Sequence, residues 1–141
     1  MEGVFSIEMA VRDYECDLQG IVNNAVYLNY LEHARHEFLK ERGLDFAALH
    51  GEGLDLVVVR IELDYRAPLR SGDRLAVESR LSRPSALRFA FDQRVLRLPG
   101  RETAVEGRVI GTCLKGGRPS LPPVLLEKLG LPALPSGSLR K

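Results

Sequence analysis

The residues best suited to chemistry lie between Val11 and Tyr30, in the run Arg12-Asp13-Tyr14-Glu15-Cys16-Asp17-Leu18-Gln19-Gly20-Ile21-Val22-Asn23-Asn24. Asp17 stands at the head of a glycine-containing loop, followed by the apolar pair Ile21-Val22 and then by Asn23, a residue type that caps helices. The first N–H groups of a helix have no intrahelical acceptor, so they are preorganised to receive negative charge developing on an oxygen. The backbone N–H of Asn24 is the expected donor. A carboxylate a few residues upstream can attack a carbonyl carbon to give a mixed anhydride, or take a proton from an attacking water. Asp17 suits both roles. If the leaving group is a thiolate, its low basicity removes the need for a Ser-His-Asp relay. The ordinary fate of an aspartate before a helix is a turn or cap. The residues alone leave both readings open, with Gly20, Val22 and Asn23 supporting the helix start or touching a ligand.

Other reactive side chains carry less. His33, His36 and Glu37 share one helix face, but the order His-Ala-Arg-His-Glu matches no zinc-protease signature and lacks a third strong ligand, so no metal and no cofactor are expected. Cys16 has no histidine near it in sequence to form a nucleophilic pair. No GxSxG, Walker loop or GxGxxG occurs, which removes the main supports for serine hydrolases, nucleotide hydrolases and Rossmann oxidoreductases.

The elements that must position Asp17 follow from periodicity. Phe5, Ile7, Met9 and Val11 alternate with Ser6, Glu8, Ala10 and Arg12, the pattern of a half-buried strand. After the loop, Tyr27, Leu31, Ala34 and Phe38 recur at helical spacing, while Asn29, Glu32, Arg35, His36 and Lys40 read as the opposite polar face. Gly43 stands where a left-handed residue would end this helix. A second helical turn is expected near Asp45 to His50. Alternation then returns in Val59, Ile61, Leu63 and Tyr65, in Leu75, Val77 and Leu81, and in Leu87, Phe89, Phe91 and Val95, with Pro84 expected to separate the last two strands. Val105, Val109 and Cys113 mark a fifth strand, whose Gly107 and Gly111 suggest close approach of another backbone. One strand, one long helix and four consecutive strands predict an α+β hotdog fold: a five-stranded antiparallel sheet wrapped around a central helix. The sheet edges and one face need cover, so a homodimer or homotetramer is expected. Residues 1–118 form the predicted domain. Residues 119–141 form a Pro-rich extension with a short helix at Val124 to Leu129 and a mobile tail.

Composition bounds the partners. At 141 residues the chain fits one domain, with 45% hydrophobic and 28% charged residues. Twenty basic against nineteen acidic residues leave a net charge of +1 and no nucleic-acid footprint. No apolar run approaches membrane-spanning length, and the N-terminus lacks a basic segment followed by an uninterrupted apolar one. Cys16 and Cys113 are the only cysteines, which suits a reducing, cytoplasmic setting.

The segment as a whole resembles the active-site region of the 4-hydroxybenzoyl-CoA thioesterase family. Asp17, Gly20, Ile21, Val22, Tyr27 and Glu32-x-Ala34-Arg35-x-Glu37 match its pattern. The Arg12-x-Tyr14-x-x-Asp17 and Val22-Asn23-Asn24-Ala25-x-Tyr27 arrangement is most similar to bacterial long-chain acyl-CoA thioesterases and plant plastid acyl-lipid thioesterases, as is the turn from Ala67 to Asp73. The resemblance spans roughly residues 5 to 115 and implies hydrolysis of acyl-CoA or acyl-carrier-protein, with Asp17 and the Asn24 N–H as the catalytic pair. Tyr27, Tyr30, Leu31 and Glu37 would then line the substrate pocket, Glu37 in a neighbouring subunit's site. Arg80, Arg83, Arg88 and Arg94 would be candidates for phosphate contacts, although solvent-facing charge explains them equally well. A non-catalytic acyl-thioester binding module is the main alternative on the same scaffold, and a hydratase the weaker one, since no histidine lies between Asp17 and the helix start.

Overall fold

The computed structural model describes residues 4–133, and the predicted mobile tail at 134–141 lies outside them. The elements in chain order are β1 (Val4–Ala10), a 3-10 turn (Asp13–Glu15), α1 (Asn24–Glu41), α2 (Phe46–Gly51), β2 (Leu54–Tyr65), β3 (Arg74–Ser85), β4 (Arg88–Leu98), β5 (Glu102–Lys115), β6 (Arg118–Pro119) and α3 (Pro123–Leu129). The strands form one antiparallel sheet in the order β1-β3-β4-β5-β2, and β6 adds a two-residue rung to β5 that the periodicity did not predict. The sheet curls over α1, as a hotdog fold requires.

Helix α1 begins at Asn23, whose side-chain oxygen accepts the Ala25 N–H at 2.9 Å. It ends in a Schellman motif: Leu44 N–H donates to the Leu39 carbonyl and Gly43 N–H to that of Lys40, with Gly43 at φ +76°. Tyr27, Leu31, Ala34 and Phe38 are all buried, as their spacing predicts. Arg35 corrects the reading of the other face. It lies beside this stripe, is only 9% exposed, and points its guanidinium into the sheet, where Gln93 accepts from it at 3.0 Å.

The core falls into two clusters. One packs Val22, Tyr27, Tyr30, Leu31 and Ala34 against Leu69, Leu75, Val77, Val95 and Val105, next to the helix start. The other gathers Phe38, Phe89, Phe91, Val109 and Cys113 with Leu125, Leu126 and Leu129, so α3 shares a core with α1 and the sheet.

Two further expectations change. Pro84 lies inside β3, at an irregularity between Ser82 and Ser85 where strand pairing is already broken, and the turn to β4 is carried instead by Ala86 and Leu87, the latter exposed. Val59, Ile61 and Tyr65 are also exposed, because β2 is an edge strand. The two glycines of β5 meet the close approach expected of them. A Cβ on Gly107 would sit 2.5 Å from the Glu62 carbonyl, and one on Gly111 would sit 2.7 Å from that of Val57.

Phe38 meets Phe5 and Phe91 edge-on, each at 5.5 Å between ring centroids, and so ties α1 to both β1 and β4. Phe38→Ala should cost about 3–5 kcal/mol of stability in urea unfolding; a loss below about 1 kcal/mol would show that this contact does not anchor the helix.

Candidate active site

Asp17 opens a tight hairpin. Gly20 N–H donates to the Asp17 carbonyl at 3.0 Å and Asp17 N–H to the Ile21 carbonyl at 2.9 Å, with Gly20 at φ +79°. This is a turn closed by a one-residue bulge, and the left-handed position is the reason for glycine at 20. The Asp17 carboxylate also accepts the Gln19 N–H at 2.9 Å. Rotating the Gln19 amide by half a turn lets its NH2 donate to both Asp17 carboxylate oxygens at 3.2 Å.

The hairpin stems run directly into α1. Cys16 pairs with Val22, and Asn23 N–H donates to the Glu15 carbonyl at 3.0 Å, so Asp17 lies two rungs, roughly 7 Å of strand, from the helix cap. Asn24 is the first residue of α1, and its N–H has no acceptor within the helix. The acid and the helix start are thus joined by a short ladder rather than by a free loop.

A second turn braces this ladder. Val22 N–H donates to the Leu69 carbonyl at 2.8 Å, Leu69 N–H donates to the Tyr27 hydroxyl at 3.1 Å, and Ile21 bridges Arg70. Val11 and Asp73 are bonded at 2.8 Å, and the Ser71 hydroxyl donates to the Asp13 carboxylate. Tyr65, at the end of β2, donates to the Asn24 carbonyl at 3.2 Å and meets the Tyr27 ring at 5.7 Å.

Glu15 is the buried acid of the region, at 8% exposure. Its carboxylate accepts the Arg12 N–H at 2.8 Å, the Arg12 guanidinium at 2.9 Å and the Tyr30 hydroxyl at 2.8 Å. Burial pushes its pKa up, but these bonds outweigh burial and hold it below the ordinary glutamate value. Tyr30 is pushed up by burial first and by the same bond second. Sequence reasoning missed Glu15, Leu69 and Tyr65 as parts of the site. Glu15 reads as one polar residue among several in a loop, and the partners of all three are distant in the chain.

The other predicted pocket residues are dispersed. Tyr27, Tyr30 and Leu31 are core residues beneath the helix start, while Glu37 is half-buried and pairs with Lys40 at 3.3 Å. Arg80 and Arg94 line a cleft of about 540 Å³ with Glu78, Asp92, Glu106 and Arg108, on the sheet face opposite α1. Arg94 is paired there with Glu78 at 2.7 Å. Arg83 is buried at the far end of β3 and donates to the carbonyls of Pro132, Ala133 and Ala86. Arg88 is exposed at that same end, where it pairs with Ser85. None of the four is brought to Asp17 within this chain.

The helix start thus leaves the Asn24 N–H without an intrahelical acceptor, Asp17 stands two rungs away on the hairpin, and the curled sheet of a hotdog fold encloses the helix. The chain belongs to the thioesterase-like superfamily, which it matches over residues 11–129. It is 40% identical over 114 residues to the chloroplastic acyl-acyl carrier protein thioesterase ATL3 of Arabidopsis thaliana, a match covering 81% of this chain and 60% of that one. The chain therefore spans about three fifths of the length of that relative. It is 29% identical over 107 residues to the long-chain acyl-CoA thioesterase FadM of Escherichia coli, covering 76% and 80% of the two chains. Its fold superposes on that of Slr0204, a 1,4-dihydroxy-2-naphthoyl-CoA thioesterase from Synechocystis, with a TM-score of 0.83 at 23% identity over 91% and 96% of the two chains.

Because the Glu15 pKa is lower in the folded chain than in the unfolded one, its ionisation stabilises the fold above the ordinary value of 4.5, and this contribution is lost as pH falls through the lowered folded value. The stability difference between the native chain and Glu15→Gln should be largest near neutral pH and shrink in acid. Urea unfolding at neutral pH and at about pH 3 reads the sign directly, and a difference that grows in acid would contradict it.

Proposed function

We propose that this chain hydrolyses an acyl thioester of coenzyme A or of acyl carrier protein, releasing the free acid and the thiol. The observation that carries this reading is the hairpin that fixes Asp17 two rungs from the first N–H groups of α1. The thioester carbonyl lies with its oxygen toward the Asn24 N–H, which receives the charge that develops as the carbon becomes tetrahedral. Asp17 either bonds to that carbon, giving a mixed anhydride that water then opens, or removes a proton from the water that attacks. The C–S bond breaks in both routes, and the sulfur leaves as thiolate and takes up a proton. Asn23 holds the helix start in place, with Gly20 and Val22 setting the path of the hairpin. The activities named for the relatives, on acyl carrier protein in one and on long-chain acyl-CoA in another, agree with a fatty acyl substrate.

The reading includes assembly with a second copy. Val58, Val59 and Ile61 are exposed on β2, an edge strand with unpaired backbone groups, and β2 against β2 of another chain covers both at once. Tyr27, Tyr30 and Leu31 then form the floor beneath the thioester, and Glu37 faces the neighbouring subunit. Both cysteines are free thiols, Cys113 being buried in the core, in keeping with a reducing cytoplasmic setting. Among the described residues no helix is long and apolar enough to cross a membrane.

Asp17→Ala should lower turnover of acyl-CoA or acyl-carrier-protein substrates by about 10²–10⁴-fold in a free-thiol assay, while circular dichroism and assembly stay as in the native chain; retained turnover would sink the assignment. Ile61→Lys puts like charges face to face across the edge and should shift the chain toward monomer in light scattering after size exclusion. An unchanged mass would place the interface elsewhere.

A further inference from the structure

We propose that Glu15 is the positioning residue of this site: its carboxylate locks the Asp17 hairpin to the body of α1 and so fixes the acid relative to the Asn24 N–H. This rests on the reading of Asp17 given above. The bonds of Glu15 reach three separate pieces of chain. Arg12, at the exit of β1, supplies a backbone and a side-chain donor; Tyr30, in the second turn of α1, supplies a hydroxyl; Asn23, the helix cap, donates to the Glu15 carbonyl. Asp17 is the second residue after Glu15, on the same ladder.

The chemistry of the three side-chain contacts selects a carboxylate. Each is a donor, and only a group with two acceptor oxygens and no hydrogens can receive all of them. Glutamine offers one such oxygen and turns an NH2 toward an N–H or an O–H. Taking a carboxylate from water costs several kcal/mol, and its cationic partner Arg12 is itself more than half exposed. A buried acid of this kind adds little net stability, but it sets one geometry for the three pieces it joins. Tyr30 is a firm anchor because its ring meets Tyr27 edge-on at 5.9 Å, and the Tyr27 hydroxyl is held by the Leu69 N–H. Among the described residues Glu15 makes no hydrogen bond to Asp17, so in this proposal it acts through the hairpin.

A displacement of about 1 Å at a reacting group can cost about 10²-fold in rate. Glu15→Gln should therefore lower kcat by about 10- to 100-fold, with KM unchanged and the fraction folded at the assay temperature, read by circular dichroism, equal to that of the native chain. Tyr30→Phe removes one of the three donors and should lower kcat less. The double variant should be no worse than Glu15→Gln, because both changes act through one contact. Amide hydrogen exchange gives a second, activity-independent reading: exchange over residues 16–24 should quicken in Glu15→Gln while β3, β4 and β5 stay protected. Native kcat in Glu15→Gln, or unaltered exchange over 16–24, overturns the proposal. Should the native chain turn over no thioester, the reading of Asp17 fails by itself, and the exchange measurement still decides whether Glu15 holds the hairpin.

Discussion

The seating of α1 in the curl of the sheet is the contact on which everything else depends. Ala34 at its centre is fully buried, so the helix backbone approaches β3 and β4 closely, with Leu31 and Phe38 filling the space on either side. Polar groups buried in that contact must satisfy one another. Gln93 does this for three of them: its amide donates to the Leu31 carbonyl and the Ser79 hydroxyl, and its oxygen accepts from Arg35. This polar layer separates the two apolar clusters and fixes α1 along its axis, because sliding the helix by one residue would break the two bonds that join it to Gln93, those of the Leu31 carbonyl and Arg35. Burial lowers the Arg35 pKa, partly offset by the charge of Glu32.

With the helix fixed, its N-terminus becomes a fixed point in space, and the site is assembled by tying other pieces to it. The hairpin bearing Asp17 is held from one side by Glu15 and from the other by Leu69, whose N–H and carbonyl are both used. Backbone groups supply most of these ties, which explains how a segment dominated by polar side chains keeps one conformation. Leu18, at the hairpin tip, is fully exposed and takes no part.

Much of this arrangement is legible from residue order, because the local signals agree with the tertiary ones. The cap at Asn23, the left-handed Gly43, the helical stripe from Tyr27 to Phe38 and the alternation of β1 and β5 each arise from interactions within one element. The features that escaped depend on which strands become neighbours. Arg35 is assigned by helical spacing to the polar face, and its burial is made tolerable by Gln93 across the gap. Val59 and Ile61 alternate as a half-buried strand should, yet the strand order leaves β2 at an edge where nothing among the described residues covers them. Glu15 was invisible for the same reason, since its partner Tyr30 is fifteen residues away and itself reads as core.

The arginines show the same limit in a way that bears on substrate. Their number in β3 and β4 suggests phosphate recognition, but register decides what each one meets. Arg94 faces Glu78, Arg108 faces Asp92, and Arg101 reaches Glu78 from the turn before β5, so the outer sheet face is a lattice of opposite charges across neighbouring strands. Exposed pairs of this kind are worth only about 0.2–1 kcal/mol each, and their main effect is to fix strand register and keep a large face polar. An arginine already answered by a carboxylate is a poor phosphate ligand. The arginines at the Asp17 end of the sheet obey the same rule: Arg12 pairs with Glu15, Arg66 with Glu106 and Arg74 with Glu8, while Arg70 sits directly beside Ile21 of the hairpin. Strand register, and not the number of arginines along the sequence, therefore decides which of them are already answered by a carboxylate.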